Sequence, residues 1–123
     1  MGVGIMMRQS FIAQLEDLNH SVIKMGSLLE LSINEMIVAL ANIDVEKAKK
    51  IIARDDDIDL LEQKIERECI NILAKQQPLA SDLRKITSIM KIITDIERIA
   101  DQCADISEYI IRLGNLPKIK APL

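Results

Sequence analysis

Two pairs of carboxylates stand at a spacing that invites joint chemistry. Asp55 and Asp59 are four residues apart, and so are Glu97 and Asp101. In a helix, residues i and i+4 sit one turn apart on the same face. The pairs also mirror each other about Pro78: Asp55 and Asp101 lie 23 residues from it, Asp59 and Glu97 lie 19. If the chain folds back at that proline, Asp-x-x-x-Asp meets Glu-x-x-x-Asp and four carboxylates converge. Crowded carboxylates share protons at raised pKa, bind basic side chains, or bind cations. An oxygen-only cluster suits hard ions such as Mg²⁺, Ca²⁺, Mn²⁺ and iron, with zinc a further candidate. The competing reading is a solvated acidic edge, with Lys64, Arg67, Lys91 and Arg98 supplying ordinary surface pairs.

Other chemistry finds little support. The single histidine, His20, falls opposite an apolar stripe and reads as a solvated surface residue. A ferritin-like di-metal oxidase needs Glu-x-x-His motifs on a four-helix core. No Ser-His-Asp or Cys-His device is evident, nor a Gly-rich phosphate loop, so the chain reads as non-enzymatic with no direct phosphate site. Cys69 and Cys103 lie far apart within helical patterns and read as small core residues of a reduced, cytoplasmic protein. A net charge of −3 and an aromatic content of 2% argue against nucleic acid as a partner, since both the basic patch and the stacking platforms are wanting.

The elements that must position the carboxylates are long helices. The 123 residues fit one domain, and a composition that is 49% hydrophobic yet nearly free of aromatics favours helices packed by aliphatic side chains. Phe11, Leu15, Leu18, Val22, Met25, Leu29, Ile33, Met36 and Leu40 recur every three or four residues and predict a helix over about Ser10–Ala41. Asp44 is placed to cap a second helix over about Val45–Lys75, and Pro78 separates it from a third over about Ser81–Leu113. Gly114-Asn115 and Pro117 supply the stop.

On the second helix Ile51, Ile58, Ile65, Cys69 and Ile72 define the apolar face; Asp55 and Glu62 occupy slots of that repeat, bordered by Asp59 and Glu66. On the third, Ile89, Ile92, Ile93, Ile96, Ile99, Cys103 and Ile110 form the face, flanked by Glu97, Asp101, Asp105 and Glu108. Short connections make neighbours antiparallel. The expected fold class is therefore all-α: an elongated antiparallel up-down-up three-helix bundle, spectrin-repeat-like. The bundle spans residues 7–114, after an N-terminal extension or scar at 1–6 and before a linker-like tail at 115–123. Leu60, Leu61, Ile52, Ile70 and Leu73 spread widely around the second helix, which predicts exposed apolar surface and a homo-oligomer. Met25, Met36 and Met90 read as core filler.

The stretches Pro78-Leu79-Ala80-Ser81-Asp82-Leu83-Arg84 and Asp95-Ile96-Glu97-Arg98-Ile99-Ala100-Asp101 resemble the repeat signature of the PhoU family of bacterial phosphate-uptake regulators. Asp55 to Glu62 and the opening Met7-Arg8-Gln9-Ser10-Phe11 are similar as well. The resemblance implies a three-helix repeat whose E(D)-x-x-x-D motifs hold metal, in some members multinuclear iron clusters. It carries over to Asp55, Asp59, Glu97 and Asp101, with Glu62 and Asp105 next in line. Ala100 stands where the family often has Gly, and Asp105 where it commonly has Asn. Typical members carry two such bundles, so one bundle with a linker-like tail reads as an N-terminal half. The implied function is regulatory: a cytoplasmic protein associating at the membrane with a phosphate ABC transporter and its sensor histidine kinase, and repressing the phosphate-starvation response. The alternative is a metal-free helical scaffold or oligomerisation module.

Overall fold

The computed structural model describes residues 2–75 and 78–117. Met1, Gln76, Gln77 and residues 118–123 lie outside the described residues, and with them most of the tail expected at 115–123. Three helices account for the rest: α1 (Gly2–Asn42), α2 (Val45–Lys75) and α3 (Ala80–Asn115). Each packs on the other two, α2 and α3 most extensively. The helix expected from Ser10 begins at Gly2 instead, so α1 runs through the stretch read as an extension. Likewise α3 runs on past Leu113 and takes Gly114 into its last turn.

A seven-residue repeat explains the packing. Phe11, Leu18, Met25, Ser32 and Ala39 are the buried column of α1; Ile51, Ile58, Ile65 and Ile72 that of α2; Ile86, Ile93, Ala100 and Ser107 that of α3. Helices that repeat apolar side chains every seven residues keep one seam toward their neighbours. Each fully buried isoleucine contributes about 1.5–3 kcal/mol of transfer free energy. The core falls into two clusters. The larger holds Leu18, Met25, Ile58, Ile65, Ile86 and Ile93. The smaller holds Ala39, Ala48, Ile51, Cys103 and Ile110.

The expected core faces were too wide. Ile92, Ile99 and Leu40 are exposed rather than buried, because a three-helix core accommodates about two columns per helix. Leu60 and Ile70 are exposed, whereas Leu61 and Leu73 pack against the larger cluster. Met25 is buried, Met36 and Met90 pack against the core, and both cysteines are buried free thiols. Burial pushes the Cys69 thiol up to about 11.

The connections have local causes. Ile43 has a φ of 50°, and the Asp44 N–H donates back to Ala39 O at 2.9 Å, which closes α1 with a left-handed residue. A branched side chain is costly there, but Ile43 packs close to Gly114, where an added Cβ would overlap Val45. Asp44 then caps α2 as expected, its Oδ1 accepting the Lys47 N–H at 3.1 Å. Asp44→Ala should lower stability by about 1 kcal/mol, seen as a lower urea midpoint with an unchanged slope.

Two charged anchors were not legible in the sequence. Buried Asp82 pairs with Arg8 through both carboxylate oxygens, one at 3.1 Å, and accepts the Leu79 N–H at 3.1 Å. The Arg8 hydrogen bond holds Asp82 below the usual carboxylate range despite its burial. Arg54 of α2 reaches α1, donating to Glu35 Oε1 at 3.0 Å and Ser32 Oγ at 3.3 Å.

Candidate metal centre

The second buried column of α2 reads Ala48, Asp55, Glu62, Cys69. Two of its four members are acids, held half-buried between Ile51, Ile58 and Ile65 of the adjoining column. They stand where the two core clusters meet. Facing them, α3 carries Ala100 in its core column, with Glu97 and Asp101 on the flank turned toward α2. Helix periodicity thus forces carboxylates into an apolar seam, and the up-down turn brings a second set against them.

Oxygens of Asp59, Glu62 and Glu97 lie within 4.8 Å of one another, and all three residues are half-buried. Asp55 and Asp101 adjoin them: Asp101 lies within hydrogen-bonding reach of both Asp55 and Glu97. Burial pushes Asp55 up to about 6, with Asp101 the next cause. Glu97 is pushed up to about 7, first by its hydrogen bond with Asp101 and then by burial. Glu62 is raised as well, by burial and then by Asp59 and Glu66. Oδ1 of Asp55 is buried with no hydrogen-bond partner.

Among the described residues, the ion pairs are Arg8–Asp82, Lys49–Glu46 and Arg54–Glu35; none reaches this cluster. From outside the cluster, Gln63 donates through its Nε2 to Asp59 Oδ2 at 3.1 Å. Among the described residues, Lys64, Arg67, Lys91 and Arg98 do not form the surface ion pairs of the solvated-edge reading.

The structure therefore brings Asp55, Asp59, Glu97 and Asp101 together as the mirror about Pro78 implied, and it places Glu62 inside the closest group. Asp105 is not brought in. It is exposed and borders a shallow recess with Glu108, Tyr109 and Arg112, one turn too far along α3. His20 is exposed and borders a groove between α1 and α2 with Asp17, Lys64 and Glu68.

Oxygen ligands bind hard cations at about 2.0–2.6 Å, so two ligands of one ion stand at most ~4–5 Å apart. The triad of Asp59, Glu62 and Glu97 meets that spacing, and the buried Asp55 oxygen beside it is an acceptor with no hydrogen-bond donor. The arrangement could hold a metal ion.

The PhoU domain model matches residues 22–110, which take in every carboxylate of the cluster. The chain belongs to the PhoU family. It is 44% identical over 107 residues to the phosphate-specific transport system accessory protein PhoU homolog of Aquifex aeolicus, covering 87% of this chain and 48% of that relative. To the homolog of Pseudomonas aeruginosa it is 41% identical over 105 residues, covering 85% and 43%. To the PhoU protein of Escherichia coli K12 it is 40% identical over 91 residues, covering 74% and 38%. This PhoU-family chain thus spans about half or less of the length of these relatives. Among its described residues no helix is long and apolar enough to cross a membrane.

Proposed function

We propose that the chain is a metal-binding, non-enzymatic regulatory module of phosphate uptake. It acts in the cytoplasm beside a phosphate ABC transporter and its sensor histidine kinase, and it damps the phosphate-starvation response. Family membership supports the regulatory part, since the relatives' names place them as accessory proteins of the phosphate-specific transport system. The metal part is carried by one observation: Asp59, Glu62 and Glu97 gather their oxygens within 4.8 Å with no basic side chain among the described residues to balance them. In this reading Asp59, Glu62 and Glu97 hold the ion, with Asp55 and Asp101 as additional donors. A bound cation supplies local positive charge that ties α2 to α3, and the residues themselves set the geometry. Iron, manganese, zinc, magnesium and calcium all fit an oxygen donor set of this kind.

Elemental analysis tests the metal reading. After chelation and reloading, the wild-type chain should retain about one or more equivalents of metal, and Asp59→Ala plus Asp101→Ala should retain roughly a tenth of that or less. Equal trace metal in both would favour a metal-free scaffold. The regulatory reading is tested separately, by whether expression of the chain lowers a phosphate-starvation reporter in cells lacking their own PhoU protein.

A further inference from the structure

Where α1 packs on the first turns of α3, a recess of about 540 Å³ opens between the two helices. Ser81, Arg84, Lys85, Ser88 and Ile89 line it from α3, Leu15 and Asn19 from α1. Ile89 is buried and Leu15 half-buried, so these two form an apolar floor; the polar side chains are exposed and form the walls. Ser81, Lys85 and Ser88 follow at helical spacings of four and three, which sets them in one stripe with Arg84 beside it. No carboxylate lines the recess, although the chain carries a net charge of −3. Asp82, the acid on this stretch of α3, is buried and taken up by Arg8 and the Leu79 N–H. Among the described residues Arg84 and Lys85 enter no ion pair. The groove between α1 and α2 differs: there Lys64 and Lys75 stand with Asp17 and Glu68, and its charge is balanced from within.

We propose that this α1–α3 recess binds a small phosphate monoester with a hydroxylated body, of the sugar-phosphate class. The Arg84 guanidinium and the Lys85 ammonium face the phosphoryl oxygens, and the Ser81 and Ser88 hydroxyls donate beside them. A planar fork, a point charge and two hydroxyls suit a tetrahedral dianion. The size of the recess argues for an ester: it lies in the range of small-molecule sites, and a free phosphate ion would fill a small part of it. The lining argues for a polyol body. No aromatic side chain is present to stack a nucleobase, whereas the Asn19 amide can meet hydroxyls and Leu15 and Ile89 can meet a C–H face. The sequence carries no Gly-rich phosphate loop. The donors here are side chains that only the packing of α1 on α3 brings together. The carboxylate cluster lies between α2 and α3 and lends no residue to the recess, so the proposal does not depend on metal.

Amide chemical shifts of the 123-residue chain, recorded in chelator, test it. Glucose 6-phosphate should move Asn19, Ser81 and Ser88 saturably, with a dissociation constant of about 0.1–1 mM. His20 and Asn71 of the α1–α2 groove should stay where they are. Inorganic phosphate should bind the same residues at least about tenfold more weakly, and glucose should not bind by about 20 mM. Arg84→Gln and Lys85→Gln should each weaken the ester by about tenfold with helical circular dichroism unchanged, since both side chains are exposed. Arg84→Lys, which keeps the charge and loses the fork, should weaken it less than Arg84→Gln. No saturable shift by about 20 mM glucose 6-phosphate, or binding indifferent to both glutamine changes, overturns the proposal. Inorganic phosphate binding as tightly as the ester, or glucose binding without its phosphate, overturns it too. Because the chain is free of metal throughout, failure here leaves the reading of the carboxylate cluster untouched.

Discussion

Metal-free protein is expected to melt highest near pH 5 and to lose roughly 5–10 °C by pH 8, an unusual direction for an acidic domain. The sign follows from the cluster. Asp55 titrates at about 6 and Glu97 at about 7 in the folded chain, both above their ordinary values. Between about pH 4 and pH 7 the folded state therefore holds protons that the unfolded chain has released. Stability falls as pH rises through that window and levels off above it. Both groups are partly exposed, so after solvent screening the two together contribute about 1–2 kcal/mol. At about 5 °C per kcal/mol for a chain of this size, that gives the stated range.

Asp82 bends the profile the other way at its acid end. Its carboxyl is held below the usual range by Arg8, so its contribution is present above about pH 4 and is lost as pH falls through its folded value. Melting temperature against pH should therefore peak rather than rise steadily toward acid. A divalent cation in excess at pH 8 should restore most of the loss, since an ion that binds only the folded state at 100 times its dissociation constant adds about 2.7 kcal/mol. A flat profile from pH 5 to 8, with no response to cation, would mean that the carboxylates are individually solvated.

Most of the fold could be read from residue spacing because its cause is periodic. Isoleucines at 51, 58, 65 and 72 leave one face to bury, and Pro78 leaves one place to turn. The cluster was legible for the same reason: equal distances from a turn become equal heights on antiparallel helices, so Asp55 had to meet Asp101. What spacing could not resolve was angle at the margins. Ile92 and Ile99 look like core by composition, yet they sit one position outside the buried column, about 100° round the helix from it. Asp105 fails as a sixth partner through height, being a turn beyond Asp101. Arg8 and Asp82 are separated by 74 residues, and no local pattern announces a pairing fixed by how α1 and α3 align.

Neutralising the triad should make the protein more stable and less responsive at once. Asp59→Asn, Glu62→Gln and Glu97→Gln together keep side-chain volume while removing the charges that repel one another across the α2–α3 seam. At pH 8 without metal, the variant should melt several degrees above wild type, by about 1–2 kcal/mol. Amides bind hard cations far more weakly than carboxylates, so the cation-induced rise should vanish and affinity for Mn²⁺ should fall by at least about 100-fold, read by calorimetry. The pairing of the two effects carries the meaning. A purely structural acidic edge would show neither, because exposed charges paired with lysine or arginine contribute little when removed. A buried structural network would lose stability when its charges went. Gain of stability with loss of binding is the signature of residues kept in an unfavourable arrangement for what they bind. Asp55→Asn should go the same way to a smaller degree, since its buried Oδ1 has no partner to lose.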